Sequence, residues 1–269
     1  MHSVAFQIGG FTIYWYGILA AVGFLAAFGM AGRLARNEGM NPAAITDLAP
    51  WLIGGAIVGA RALYVVSYWQ EEFARKPFWE IFMLQRSGLV YYGGLIGASL
   101  TTIIYTRLKG IPLWKVADVF APSIALGHAF GRVGCLMTGC CHGRPTNLPW
   151  AIHFPNDHPT HAVGVHPTQI YESLLNLILF SGLYWLFRRK KFDGQVFAFY
   201  LVSYALLRAF VEVFRGDYPV RYLGGVATPA QLVSTGILLT GLFLLWKLRP
   251  ARPGTHRGLP QGESPRLGK

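Results

Sequence analysis

Arg61, Arg132 and Arg208 each interrupt a long apolar stretch of the sequence. An arginine at mid-bilayer costs about 2.5–3.5 kcal/mol on insertion scales, so residues of this kind need a purpose. Tyr204, Arg208, Glu212 and Arg215 recur at helical spacing and share one stripe; His128, Arg132 and Cys135 align in the same way, as do Arg61, Tyr64 and Tyr68. Glu172 and Glu212 are the candidate counter-ions, and three arginines against two carboxylates leave a positive excess. A planar guanidinium binds two phosphate oxygens at once, so beside apolar walls the chemistry on offer is capture of a phospholipid headgroup. The competing reading is structural, with the arginines pairing to carboxylates and carbonyls to hold helices together, and it weighs most for Arg61.

A second cluster of reactive types lies between residues 138 and 167. It holds Gly139-Cys140-Cys141-His142-Gly143 together with His153, His158, His161 and His166, and Cys135 stands just before it. Thiolates and imidazoles are metal ligands, but this spacing matches no zinc ribbon or finger, so no metal ligand and no cofactor is assigned. Glycine pairs at spacing four, Gly55/Gly59, Gly93/Gly97 and Gly127/Gly131, read first as close helix packing. Gly93 and Gly94 carry a second reading, in which a headgroup approaches exposed backbone amides.

The elements that must position these groups are membrane spans. Only 13% of the residues are charged and 53% are apolar or aromatic, far from the quarter charged that soluble domains carry. Stretches of about 20 apolar residues cross a bilayer, and seven qualify: 11–31, 47–68, 89–106, 116–137, 168–187, 196–214 and 228–246. The expected fold class is an all-α integral membrane protein with a catalytic domain over 1–246. The Pro-, Gly- and Arg-rich stretch 247–269 reads as a basic, disordered cytoplasmic tail.

Lys and Arg set the orientation. Arg33 and Arg36, then Arg107, Lys109 and Lys115, then Arg188 to Lys191, then Lys247 onward occupy alternate loops, whereas the opposite loops hold Arg75, Lys76, Arg86, Arg144, Arg215 and Arg221. This bias predicts an N-terminus outside and a cytoplasmic C-terminus, with residues 138–167 facing outward and 188–194 inward. It also explains the net charge of +12 as topology, so no nucleic-acid partner is expected. No Lys or Arg precedes the first span, so it is read as part of the fold and not as a cleaved signal peptide. In this topology Arg61, Arg132 and Arg208 lie roughly 7–10 Å below the outer helix ends, level with Tyr91, Tyr92, Gly93, Gly94, Gln169 and Glu172. A lipid-bearing pocket is expected to open sideways between the spans carrying Tyr92, Arg132 and Arg208.

Four ordered motifs carry a resemblance. Tyr92-Gly93-Gly94-Leu95-Ile96-Gly97, the run from Gly131-Arg132 to His142-Gly143, His166-Pro167-Thr168-Gln169-Ile170-Tyr171-Glu172, and Tyr204-x3-Arg208-x3-Glu212-x2-Arg215 together resemble the prolipoprotein diacylglyceryl transferase family; Trp15-Tyr16-Gly17 and Gly59-Ala60-Arg61 fit as well. The resemblance implies a seven-helix, multi-pass enzyme of the bacterial cytoplasmic (inner) membrane. It would move diacylglyceryl from phosphatidylglycerol to the lipobox cysteine of a prolipoprotein signal peptide and release glycerol phosphate. On that reading Arg132, Arg208, Tyr92 and Tyr204 are catalytic, and Tyr16, Arg61, Gly93, Gly94, Gly143, Glu172, Glu212 and Arg215 bind substrate. The chain departs from many members at Tyr92, where they carry His, and at Cys135, Thr138, Gly139 and Cys140, where they carry Asn-x-x-Asn-Gly-Glu. The acceptor of the thiol proton is open among Tyr92, Tyr204, His142, Glu172, Glu212 and the phosphate itself. Rival readings are an anion or phospholipid transporter, which should carry polar residues through the whole membrane thickness, and a metal-handling protein built on the Cys/His loop.

Overall fold

The computed structural model of the chain describes residues 3–83, 88–155, 157–216 and 228–250; Arg86, Arg221 and the expected disordered tail beyond residue 250 lie outside the described residues. Its long helices are α1 (Trp15–Asn37), α2 (Pro42–Ser67), α3 (Tyr91–Leu108), α4 (Leu113–Thr138), α5 (Thr168–Phe187), α6 (Gln195–Phe214) and α7 (Pro229–Lys247). Six of them, all but α3, are long and apolar enough to cross a membrane. Their outward faces carry Leu25, Val58, Val66, Ile178, Leu239 and Trp246 largely uncovered. Such a continuous apolar surface suits lipid, not water.

Local chemistry sets the helix ends. Asn41 caps α2 by accepting from the Ala43 amide at 3.0 Å, with Pro42 in the first turn. Thr228 and Gln231 form a reciprocal capping box at the start of α7. Gly139 ends α4 in the left-handed conformation, φ 78°, where a side chain would strain the backbone. The first span differs from expectation. Residues 11–14 are not helical but pair as β2 (Phe11–Tyr14) with β1 (Val4–Ile8) in an antiparallel hairpin, so among the described residues the regular elements are helices and this one ribbon. Gly9-Gly10 makes the turn, and the β-favouring Phe11-Thr12-Ile13-Tyr14 extends from it.

Packing splits the bundle into two halves. α4 is central, lying against α1, α5 and α6, while α2 pairs with α3 and α7 with α6. One half is a dry core of Leu34, Ile45, Leu48, Val116, Val119, Leu183, Phe187 and Val196. The other half of α4, α5 and α6 buries Gln169, Glu172, Arg208, Glu212 and Arg215. At the dry end Asp118, fully buried, accepts from the amides of Gly194 and Phe197 at 2.9 and 3.0 Å and so satisfies the first turn of α6 from α4. Lys190 joins it at 3.0 Å and also reaches Glu38 and Asp193. Burial alone would lower the Lys190 pKa, but the carboxylates of Asp118 and Glu38 outweigh it and raise it. The Arg188–Lys191 run is thus partly a structural clamp in addition to a charge signal.

α2 and α3 touch backbone to backbone. A Cβ on Gly59 or Gly93 would collide with the other's carbonyl oxygen, and one on Gly97 with that of Gly55. The small-residue pairs therefore act as packing surfaces. Gly23 and Gly127 play the same part between α1 and α4, while Gly131 faces open space.

Candidate functional site

Helical spacing on α4 and α6 brings Arg132 and Arg208 to two buried carboxylates, Glu172 of α5 for the first and Glu212 of α6 for the second. An Arg132 terminal nitrogen lies 3.0 Å from Glu172 Oε1, and Arg132 Nε donates to His128 Nε2 at 3.0 Å. His128 Nε2 itself stands 3.6 Å from Glu172. Arg208 pairs with Glu212 one turn along α6, and Arg215 Nε approaches the same carboxylate at 3.9 Å. Glu172 is in electrostatic range of Arg132, Arg208 and Arg215 together. Oε1 of Glu172 meets the Arg132 charge without a well-aligned hydrogen bond, and Oε1 of Glu212 has no hydrogen-bond partner among the described residues. Three guanidinium groups, those of Arg132, Arg208 and Arg215, thus surround two acids; Arg215 takes the place that the sequence reading gives to Arg61.

Tyrosines border this group. Tyr204 sets its ring 5.5 Å from that of His128 and lies in range of Glu172, Arg132 and Arg208. From α3 the hydroxyl of Tyr91, neighbour of the expected Tyr92, lies in range of Arg132, Arg208 and Glu172. Tyr92 packs its ring against Tyr91 at 5.8 Å. Consecutive helix residues diverge by about 100°, so the two rings leave α3 in different directions. Tyr91 is 73% exposed and yet lies in the field of the buried charges, so it stands between them and the outer face of α3. α3 packs chiefly on α2 and meets α4 only sparsely.

Other expected residues sit elsewhere. Arg61 is buried, and its Nε donates to the Ile81 carbonyl at 2.6 Å; its terminal nitrogens donate to Glu80, Met83 and Gly88 at 2.8, 3.2 and 3.5 Å. Its guanidinium also lies over the rings of Tyr64 and Phe73. These contacts tie down the segment between α2 and α3, the structural role weighed for it. Gly93 is pressed against α2 and Gly94 makes ordinary contacts with Ala56 and Ala60. Gly143 is wedged between His166 and the Phe214 carbonyl, where any Cβ would clash. Its amide donates to the His166 carbonyl at 3.0 Å, and Arg144 donates to the Phe214 and Arg215 carbonyls. Gly143 therefore sews the 139–167 segment to the end of α6, beside Arg215.

Tyr16, at the start of α1, packs on Gly134 and lies in range of Arg132 and of Cys135, Cys140 and Cys141. Those cysteines share one small region, which residue spacing did not reveal. Two left-handed residues, Gly139 and Cys141 (φ 61°), fold the chain back on α4, and no sequence period announces such a reversal.

The model of the prolipoprotein diacylglyceryl transferase family matches residues 3–247. A phosphatidylglycerol–prolipoprotein diacylglyceryl transferase of Finegoldia magna is 40% identical over 250 residues, covering 93% of this chain and 96% of its own. One of Synechococcus elongatus is 36% identical over 268 residues, covering 96% and 92%. One of Clostridium tetani is 34% identical over 246 residues, covering 91% and 96%.

Proposed function

The chain belongs to the prolipoprotein diacylglyceryl transferase family, and from this premise we infer how its polar half works. It is an enzyme that transfers diacylglyceryl from phosphatidylglycerol to a prolipoprotein, as its relatives' names support over a transporter or a metal-handling protein. The acceptor atom is the lipobox cysteine thiol of the signal peptide. All seven helices span the bacterial cytoplasmic membrane, with the N-terminus outside, the polar half toward the outer leaflet and residues 188–194 in the cytoplasm. Residues 1–246 form the catalytic unit, the remainder is a basic tail, and nucleic acid is no partner.

The observation that carries the site is the gathering of Arg132, Arg208 and Arg215 around the buried carboxylates of Glu172 and Glu212, with Tyr91 in electrostatic range of Arg132 and Arg208. The phosphatidylglycerol headgroup enters beside Tyr91 with its acyl chains left in lipid. Arg132 and Arg208 take the phosphate, while Glu172 and Glu212 hold the two guanidinium groups in place before substrate arrives. The acceptor sulfur attacks the glyceryl carbon bearing the phosphate ester. A C–S bond forms, the C–O bond breaks with its electrons on the phosphate oxygen, and the thiol proton leaves to solvent or to glycerol phosphate. Preorganised arginines stabilise the charge that builds on the leaving group. Incubating the purified protein with phosphatidylglycerol and a lipobox peptide should add one diacylglyceryl mass to the peptide. A lipobox Ser peptide should stay unmodified, and equal labelling of both would sink the assignment of the acceptor.

A further inference from the structure

The sulfurs of Cys135, Cys140 and Cys141 all lie within 4.8 Å of one another, on the same face of the bundle as Arg132. In tetrahedral zinc with bonds of about 2.3 Å the sulfurs stand about 3.8 Å apart, so a closure of about 1 Å would complete three ligand bonds. The framework holding them is unusually fixed. The Gly139 carbonyl accepts from His158 Nε2 at 3.0 Å, that of Cys140 from Gln169 Nε2 at 2.7 Å, and that of Cys141 from Thr168 Oγ1 at 2.7 Å. Every carbonyl of the turn is pinned, and Cys141 occupies a left-handed conformation that non-glycine residues adopt only where the surroundings enforce it. Among the described residues no fourth metal-ligand side chain joins the group. His142, next in sequence, sets its Nδ1 3.1 Å from the Gly143 carbonyl and its ring against His158 and Phe154. Cys140 is exposed, which gives the cluster an open side. Arg132 and Arg215 lie in electrostatic range of Cys141 and offset the negative charge that three thiolates leave on a divalent ion.

We propose that Cys135, Cys140 and Cys141 bind one zinc ion through three thiolates and leave its fourth position for the acceptor thiol. Three protein ligands with one open position is the arrangement of catalytic zinc, whereas structural zinc is closed by four. Soft thiolates select zinc or copper(I), and zinc's preference for four ligands is what leaves room for a substrate. The proposal rests on the acceptor being a thiol, as inferred above. A thiol bound to zinc gives up its proton to solvent and remains a sulfur nucleophile. That sulfur forms the C–S bond as the C–O bond breaks toward the phosphate on Arg132 and Arg208. The neutral thioether is a poor ligand and leaves.

The full-length protein, purified in detergent without chelator, should contain about one zinc per chain by elemental analysis. Cobalt(II) substituted for zinc should give the strong absorption of a tetrahedral thiolate site, and a lipobox Cys peptide should shift that spectrum where the Ser peptide does not. Cys135→Ser, Cys140→Ser and Cys141→Ser should each weaken zinc binding about 100-fold or more. Stripping the wild-type protein with a chelator should abolish transfer, and zinc should restore it, which avoids any question of variant folding. Full transfer by metal-free protein, a disulfide within the trio, selective binding of copper(I) alone, or a cobalt spectrum blind to the thiol peptide would each overturn the proposal. The transferase reading fails separately, if no diacylglyceryl reaches the peptide whether or not zinc is present.

Discussion

Arg132 and Arg208 differ in how their charge is held. Arg132 shares its guanidinium between His128 and Glu172, whereas Arg208 is clamped by Glu212 on its own helix. If both hold the leaving phosphate, Arg132→Ala or Arg208→Ala should lower turnover per folded protein by about 10²–10³, and Lys should rescue poorly because it lacks the two-oxygen fork. If they only brace helices, protein level should fall along with activity, since an acid would be left buried without its partner; near-normal specific activity in either Ala variant would remove that arginine from the chemistry. Tyr91→Phe should cost about 10–100-fold, the worth of a hydrogen bond to a charged group, while Tyr92→Phe costs little. Equal losses in the two variants would contradict the placement of Tyr91. The arginines and their acids were legible in the sequence because charge inside an apolar stretch has few explanations. The choice between Tyr91 and Tyr92 was not, since it turns on the rotation of α3. Nor were the partners of Arg61, which are backbone carbonyls of a segment that no side-chain pattern orients.

At the scale of elements, periodicity and length located the helices to within a few residues. It erred at 11–14, where a glycine turn and alternating β-favouring residues outweigh apolarity. Glycine spacing foretold close helix approach at Gly55/Gly59 and Gly93/Gly97, and the structure shows the partners to be α2 and α3, with Gly93 packed against Gly59. The join between α4 and α6 was hidden, because Asp118 and Lys190 are far apart in sequence and their meeting depends on the whole bundle. Asp118→Ala removes the cap of α6 and leaves Lys190 with less compensation, so it should destabilise the protein by about 3–5 kcal/mol. Thermal unfolding in detergent, monitored by loss of helix signal, checks this, and an unchanged midpoint would refute it. The sign for pH follows from the raised Lys190 pKa. Its pairing is fully present below the unfolded value of about 10.4 and is lost only as pH rises through the higher folded value, so stability from this cluster should be flat between about pH 6 and 9.

For the molecule as a whole, the proposed orientation makes a direct prediction. A cysteine introduced at Asp193 in a background lacking the native thiols should resist an impermeant reagent added outside intact cells, and one at Thr160 should react; the reverse pattern would invert the topology. The clamp at Asp118 has a mechanical meaning too. It makes the dry end of the bundle a fulcrum, with Arg132 about 21 Å along α4 and Arg208 about 16 Å along α6 from it. A splay of about 5° between these levers would part the arginines by about 2 Å, and misplacement of about 1 Å can cost 10²-fold in rate. If the arginines hold the phosphate as proposed, their grip depends on a joint at the opposite end of the bundle. In Asp118→Asn, turnover per folded protein should fall with rising temperature more steeply than in the wild type, and parallel temperature profiles would show that the levers are stiff without their fulcrum.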